Sequence, residues 1–83
     1  MQIAVKIINA SITVLLDHAR LRPRLVEWNG NTYSVMSVID DWKVQTKWWA
    51  EEVARHYMVL STDRHLMEVY RQGDSWTLYR LYD

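Results

Sequence analysis

The sequence predicts an all-β domain: a small antiparallel β-barrel, or a strongly curled sheet, of about five to six short strands in the SH3 or OB style, with one short helix as an option. Three observations lead there. Nine valines, five isoleucines and five threonines spread β-branched side chains along the chain, and such residues suit a pleated, half-buried surface. Apolar and polar residues alternate with period two through most of its 83 residues. Turn signals separate the alternating runs at Asn29-Gly30, Asp63-Arg64 and Gln72-Gly73-Asp74. A flat sheet of such strands would leave one apolar face wet and two edges open, and curling into a barrel removes both problems.

Taken in order, the elements follow from local chemistry. Ile3, Val5 and Ile7, then Ile12, Val14 and Leu16, alternate with their neighbours, and Asn9-Ala10 between them is read as a hairpin turn. The helical alternative for residues 1–21 stays open, because Ala and Arg recur at helical spacings after Leu15. Asp17 to Pro23 is a loop, and Pro23 favours an extended start to the strand Arg24–Trp28. Asn29-Gly30 predicts a type I′ hairpin, which needs positive φ at both central residues. The return strand runs from Thr32 to Trp42, and a slip of phase between Val35 and Val38 predicts a β-bulge near Met36-Ser37. Asp40 to Ala54 reads as the longest break in the strand pattern, with a one-turn helix over Ala50–Ala54 as an option. A three-strand meander closes the chain: His56–Thr62, Leu66–Arg71 and Trp76–Tyr82, with Gly73 supplying the positive φ of the last turn.

Composition bounds the function. Ten basic and ten acidic residues cancel, which argues against a surface that clings wholesale to nucleic acid or anionic lipid. The 49% hydrophobic fraction is that of a folded chain, and length allows a single domain over residues 1–83. No cysteine is present, so disulfides, thiolate metal sites and a thiol nucleophile are excluded. A secreted domain of this size usually carries disulfides, so a cytoplasmic location is expected. The apolar run Ile3–Leu16 is too short and too polar to span a bilayer and lacks the pattern of a signal peptide.

Two side-chain groups suggest binding. Trp28 and Trp76 sit in strands and are read as core. Trp48 and Trp49 are adjacent, so an extended chain sends them to opposite sides; one of them either caps the barrel or anchors a partner. Arg22, Arg24 and Lys47 would rim such an anchor. Alternatively Arg22, Arg24, Lys43, Arg55 and Tyr57 form a basic and aromatic groove for single-stranded nucleic acid. Asp40, Asp41, Glu51 and Glu52 flank the same tryptophans, and surface ion pairs are the plainer use of those charges. His18, His56 and His65 have no ligand-like spacing, and no glycine-rich phosphate loop or nucleophile constellation is present. No catalytic residue, metal or cofactor is expected.

Several motifs in one order carry a resemblance. Pro23-Arg24 precedes Trp28-Asn29-Gly30 and Tyr33-Ser34-Val35; Asp40-Asp41-Trp42 and Trp48-Trp49 follow; then Glu68-Val69-Tyr70-Arg71 and Trp76-Thr77-Leu78-Tyr79-Arg80-Leu81-Tyr82-Asp83. Over residues 22–83 this resembles a small family of bacterial domains of unknown function. Its members sit at the C-terminal end of ImuB-like relatives of the Y-family translesion polymerases, or stand alone near error-prone repair genes. The resemblance implies a DNA-repair setting and leaves residues 1–21 as an extension. The chain departs from that pattern at Ala50-Glu51-Glu52-Val53-Ala54, where relatives tend to be basic. The expected function is a non-enzymatic module that docks a protein partner through Trp48 or Trp49 with Arg22, Arg24 and Lys47. Single-stranded nucleic-acid binding, and a structural or self-associating role, are the alternatives.

Overall fold

In the computed structural model, which describes residues 4–19, 21–48 and 51–82 (Lys47, Trp48 and Glu51 by their backbone only), the chain is all strand and turn. The strands are β1 (Val5–Leu16), β2 (Pro23–Trp28), β3 (Asn31–Trp48), β4 (Glu51–Thr62), β5 (Leu66–Gln72) and β6 (Ser75–Tyr82). Each pairs antiparallel with the next, and β6 returns to β1, so the six close a barrel in sequence order. Among the described residues there is no helix, and so none that could cross a membrane.

The turns behave as their residues require. Asn29 and Gly30 adopt φ of 52° and 76°, both positive as a type I′ hairpin demands. Gly73, at φ 59°, turns β5 into β6. Between β4 and β5 the side chains do the work. The Thr62 hydroxyl accepts from the His65 N–H at 3.0 Å and donates to the His65 carbonyl at 2.7 Å. Asp63 reaches across to β3: its N–H donates to the Ser34 carbonyl and its carboxylate accepts from the Ser34 N–H, each at 3.0 Å. That exchange ties the turn to the point where β3 leaves β2 for β4.

Alternation then builds the core. Val26 and Tyr33 of the first hairpin meet Met58 and Leu60 of β4, Met67 and Val69 of β5, and Leu78 and Leu81 of β6, all buried. Trp28 and Trp76 pack against this cluster as half-buried side chains, together with Ile8, Ile12 and Val14 of β1.

Two expectations are corrected. Asn9-Ala10 is no hairpin: β1 is one strand, and the register slips between Ile7 and Ala10 where Asn9 takes φ 53°. An asparagine tolerates that left-handed conformation, so the signal of a turn is spent on a bulge. The described residues of the 1–21 segment thus contribute a single strand rather than a pair or a helix. Likewise the described residues of Asp40–Ala54 are strand, with no helical turn over Glu51–Ala54; Ala50, the first residue of the helical option, lies outside the described residues. Register runs unbroken from Asp41↔Met58 to Trp48↔Glu51, so β3 and β4 form a long two-stranded arm. The acidic pair Glu51-Glu52 that suggested a loop lies on β4 opposite Trp48 and Lys47, and Gln45 donates to Glu52 across the strands at 2.7 Å.

The bulge expected near Met36 is present, and a second follows it. Val35 opposes Thr62 while Ser37 opposes Ser61, so Met36 is extra; Val38 opposes Leu60 while Asp40 opposes Val59, so Ile39 is extra. Val35, Val38 and Asp41 therefore share the inner side at a spacing of three. Met36 and Ile39 stand out in solvent at 69% and 58% exposure.

Candidate functional site

Because the barrel's inner side takes Met58, Val69 and Leu78, their strand neighbours must face outward. On β4, β5 and β6 those neighbours are Tyr57, Tyr70 and Tyr79, and on β3 the residue opposite Tyr57 is Trp42. Four aromatic side chains thus form one row on the outer surface. Trp42 lies parallel to Tyr57, 5.5 Å between centroids and 3° between planes. Tyr57 meets Tyr70 at 5.1 Å, and Tyr79 sets its edge against both. Tyr79 reaches the pair because the β5–β6 register slips between Glu68 and Val69, leaving it as the extra residue of a bulge.

Two arginines complete the surface. Arg55 stacks over Tyr70 at 4.6 Å from the ring centroid and is fixed by a 3.0 Å bond from its Nε to Gln72 and a longer one to the Tyr57 hydroxyl. That phenolic contact holds the guanidinium above its ordinary value, partly offset by desolvation. Arg80 covers Tyr79 at 4.9 Å. Its guanidinium is raised by the phenols of Tyr79 and then Tyr82, with the Glu68 charge behind them. Both cations therefore persist at any physiological pH.

Glu68 is the unexpected member. It occupies the outer side of β5, yet only 7% of it is exposed. Tyr82 donates to it at 3.4 Å, and the buried Nε of Arg80, which makes no hydrogen bond, lies 3.9 Å away. A carboxylate buried on the outside of a sheet shows that the side chains above it form a covering layer. The layer extends along the arm, where Val44 and Val53 are half-buried beside Thr46 and Arg55.

The residues singled out in the sequence are scattered. Arg55 and Tyr57 belong to this outer layer. Lys43 lies on the other side of the ribbon, opposite His56, which in turn opposes Arg71; the three line a cleft with Gln45, Ala54 and Gly73. Asp41 accepts a 2.8 Å bond from His56 on that side. Arg22 and Arg24, both exposed, border a cleft against Val35–Val38. Lys47 and Trp48 pair with Glu52 and Glu51 at the far end of the arm, nine residues along from Val38 and so roughly 30 Å away in extended chain. Arg22 and Arg24 are not brought beside them. The side chains of Lys47 and Trp48, and all of Trp49, lie outside the described residues.

Sequence reasoning passed over Trp42, Tyr70, Tyr79 and Arg80. Their strands carry apolar residues on both sides, so alternation alone did not say which set faced out; a chain with two apolar faces and one small core was the available signal.

Comparison with family models, with curated proteins and with solved structures returns no match.

Proposed function

We propose that this domain is a non-enzymatic docking module whose outer surface over β3–β6 receives an acidic, apolar-rich segment of a protein partner. The observation that carries the reading is the row Trp42–Tyr57–Tyr70–Tyr79 capped by Arg55 and Arg80. Tryptophan, tyrosine and arginine are the residues that dominate binding energy at protein interfaces. Charge favours an acidic occupant: both guanidiniums are exposed in part, whereas Glu68 is buried beside Arg80. The repair setting implied by the resemblance over residues 22–83 directs the search for that partner to lesion-bypass assemblies.

Ring orientation favours a polypeptide over stacked bases as the first reading. A stacking platform offers ring faces to nucleobases. Here Trp42 and Tyr57 turn their faces to each other, and Arg55 and Arg80 cover those of Tyr70 and Tyr79. With those faces engaged, ring edges and phenol oxygens are offered to the apolar and hydrogen-bonding contacts of a polypeptide.

Selection of random peptides on the folded domain tests this. Enriched sequences should combine Asp or Glu with large apolar residues and shift the amide resonances of Tyr57, Tyr70 and Tyr79. They should lose binding to Arg55→Glu while that variant keeps its circular dichroism. Peptides that perturb only the β1–β2 side would refute the reading. Salt-sensitive tryptophan quenching by single-stranded oligonucleotides, lost in Arg55→Glu, would establish nucleic acid in its place.

A further inference from the structure

The barrel is closed, yet β3 changes partner along its length. Its Asn31–Ser34 segment lies against β2, and from Val35 to Trp48 only β4 accompanies it. Among the described residues, its other edge carries no partner strand for the length of the arm. Long open edges invite a further strand. Met36, Ile39 and Trp42, three of the large apolar side chains left exposed, all stand on this strand.

We propose that this edge pairs with the same edge of a second copy of the chain, antiparallel about a twofold axis through Trp42. Main-chain direction restricts the registers. The Asp41 N–H donates to the Asp40 carboxylate at 2.9 Å, which marks Asp41 as a position whose main chain faces away from β4. Lys43 shares that direction, and Trp42 faces β4. An axis through a residue matches edge-facing positions with edge-facing positions; an axis between residues does not. An axis through Asp41 or Lys43 sets like charges opposite each other, which opposes pairing. An axis through Trp42 sets Asp41 of each copy opposite Lys43 of the other.

Two further features agree with that register. Lys43, His56 and Arg71 form a cross-strand row of basic residues on one side of the sheet. Asp74 approaches Arg71 at 4.0 Å and Asp41 bonds His56, while Lys43 ends the row at the open edge. The second copy's Asp41 arrives opposite that end. An axis through Val44 would offer Lys43 only Gln45. On the outer side, the two Trp42 indoles meet in a closely spaced pair, so the aromatic rows of both copies become continuous. The Asp40 carboxylate, which occupies the Asp41 N–H in the single chain, yields it to the Lys43 carbonyl of the second copy.

Sedimentation of the intact chain tests the proposal. The weight-average mass should rise with concentration from the 10.0 kDa of one chain toward twice that value. Asp41→Lys and Lys43→Asp each turn two attractive pairs repulsive and should weaken the dimer about tenfold, taking roughly 0.2–1 kcal/mol for each cross-strand pair. Mixing the two variants should restore association as a heterodimer, because every facing pair is again opposite in sign. Both sites are exposed, and circular dichroism verifies the fold of each variant. A wild-type chain that stays monomeric to millimolar concentration overturns the proposal whatever the variants do. So does a dimer indifferent to the reversals, or a mixture that remains as weak as its components.

Discussion

Single residues in this barrel fall into two kinds with different energetics. Leu60, Met67, Val69 and Leu78 are fully buried, and truncating such a side chain removes both its transfer free energy and its packing neighbours. Leu60→Ala is expected to cost about 2–5 kcal/mol, read from urea unfolding. Gly73 is the other kind. A Cβ at that position would meet nothing within 4 Å, yet φ is +59°, where an L-residue is strained by about 1–2 kcal/mol. Gly73→Ala should therefore lower stability by about that amount through the backbone alone. Gly73→Asn should recover part of it, since asparagine tolerates the left-handed region. Gly73 was legible in the sequence because the chemistry of a glycine turn is local. The role of Tyr79 was not, since its place in the aromatic row depends on a bulge created by the pairing of β5 with β6.

Elements show where local pattern and tertiary demand diverge. The Asn29-Gly30 hairpin was readable because a two-residue I′ turn fixes its own register. The arm was not: over Lys43–Thr46 and Glu52–Ala54 the ribbon touches no core, so no buried face imposes a clean alternation, and acidic pairs imitate a loop. Asn9 imitated a turn for the related reason that bulges and turns use the same backbone conformations. The double bulge of β3 makes a sharper prediction. Extra residues bend a strand and increase its twist, and Met36 and Ile39 sit where β3 departs from β2 to follow β4. Met36→Ser changes an exposed side chain and should shift stability by less than about 0.5 kcal/mol. Deleting Met36 leaves the flanking pairs in register but straightens the strand, and should cost several-fold more. Thermal unfolding of the two variants side by side separates the side chain from the bend.

At the scale of the whole molecule, the barrel depends on the segment that the family-like motifs omit. β1 pairs with β6 along Val5–Ile12 and with β2 along Thr13–Leu16, so it is the strand that closes the ring. It also places Ile8, Ile12 and Val14 against the buried cluster. Removing residues 1–21 would bare one edge each of β2 and β6 and open the core beside Val26, Leu78 and Leu81. A chain of this length has little apolar burial to spare. A fragment of residues 22–83 is accordingly expected to lose its cooperative melting transition and near-ultraviolet circular dichroism, even though it retains every motif of the resemblance. If that fragment melted sharply near the temperature of the full chain, closure by β1 would be dispensable and the stable unit would be the β2–β6 meander. Supplying residues 1–21 as a separate peptide offers the complementary measurement. Recovery of the transition, with the rise in stability tracking peptide concentration, is the outcome expected of a strand that binds only the folded barrel.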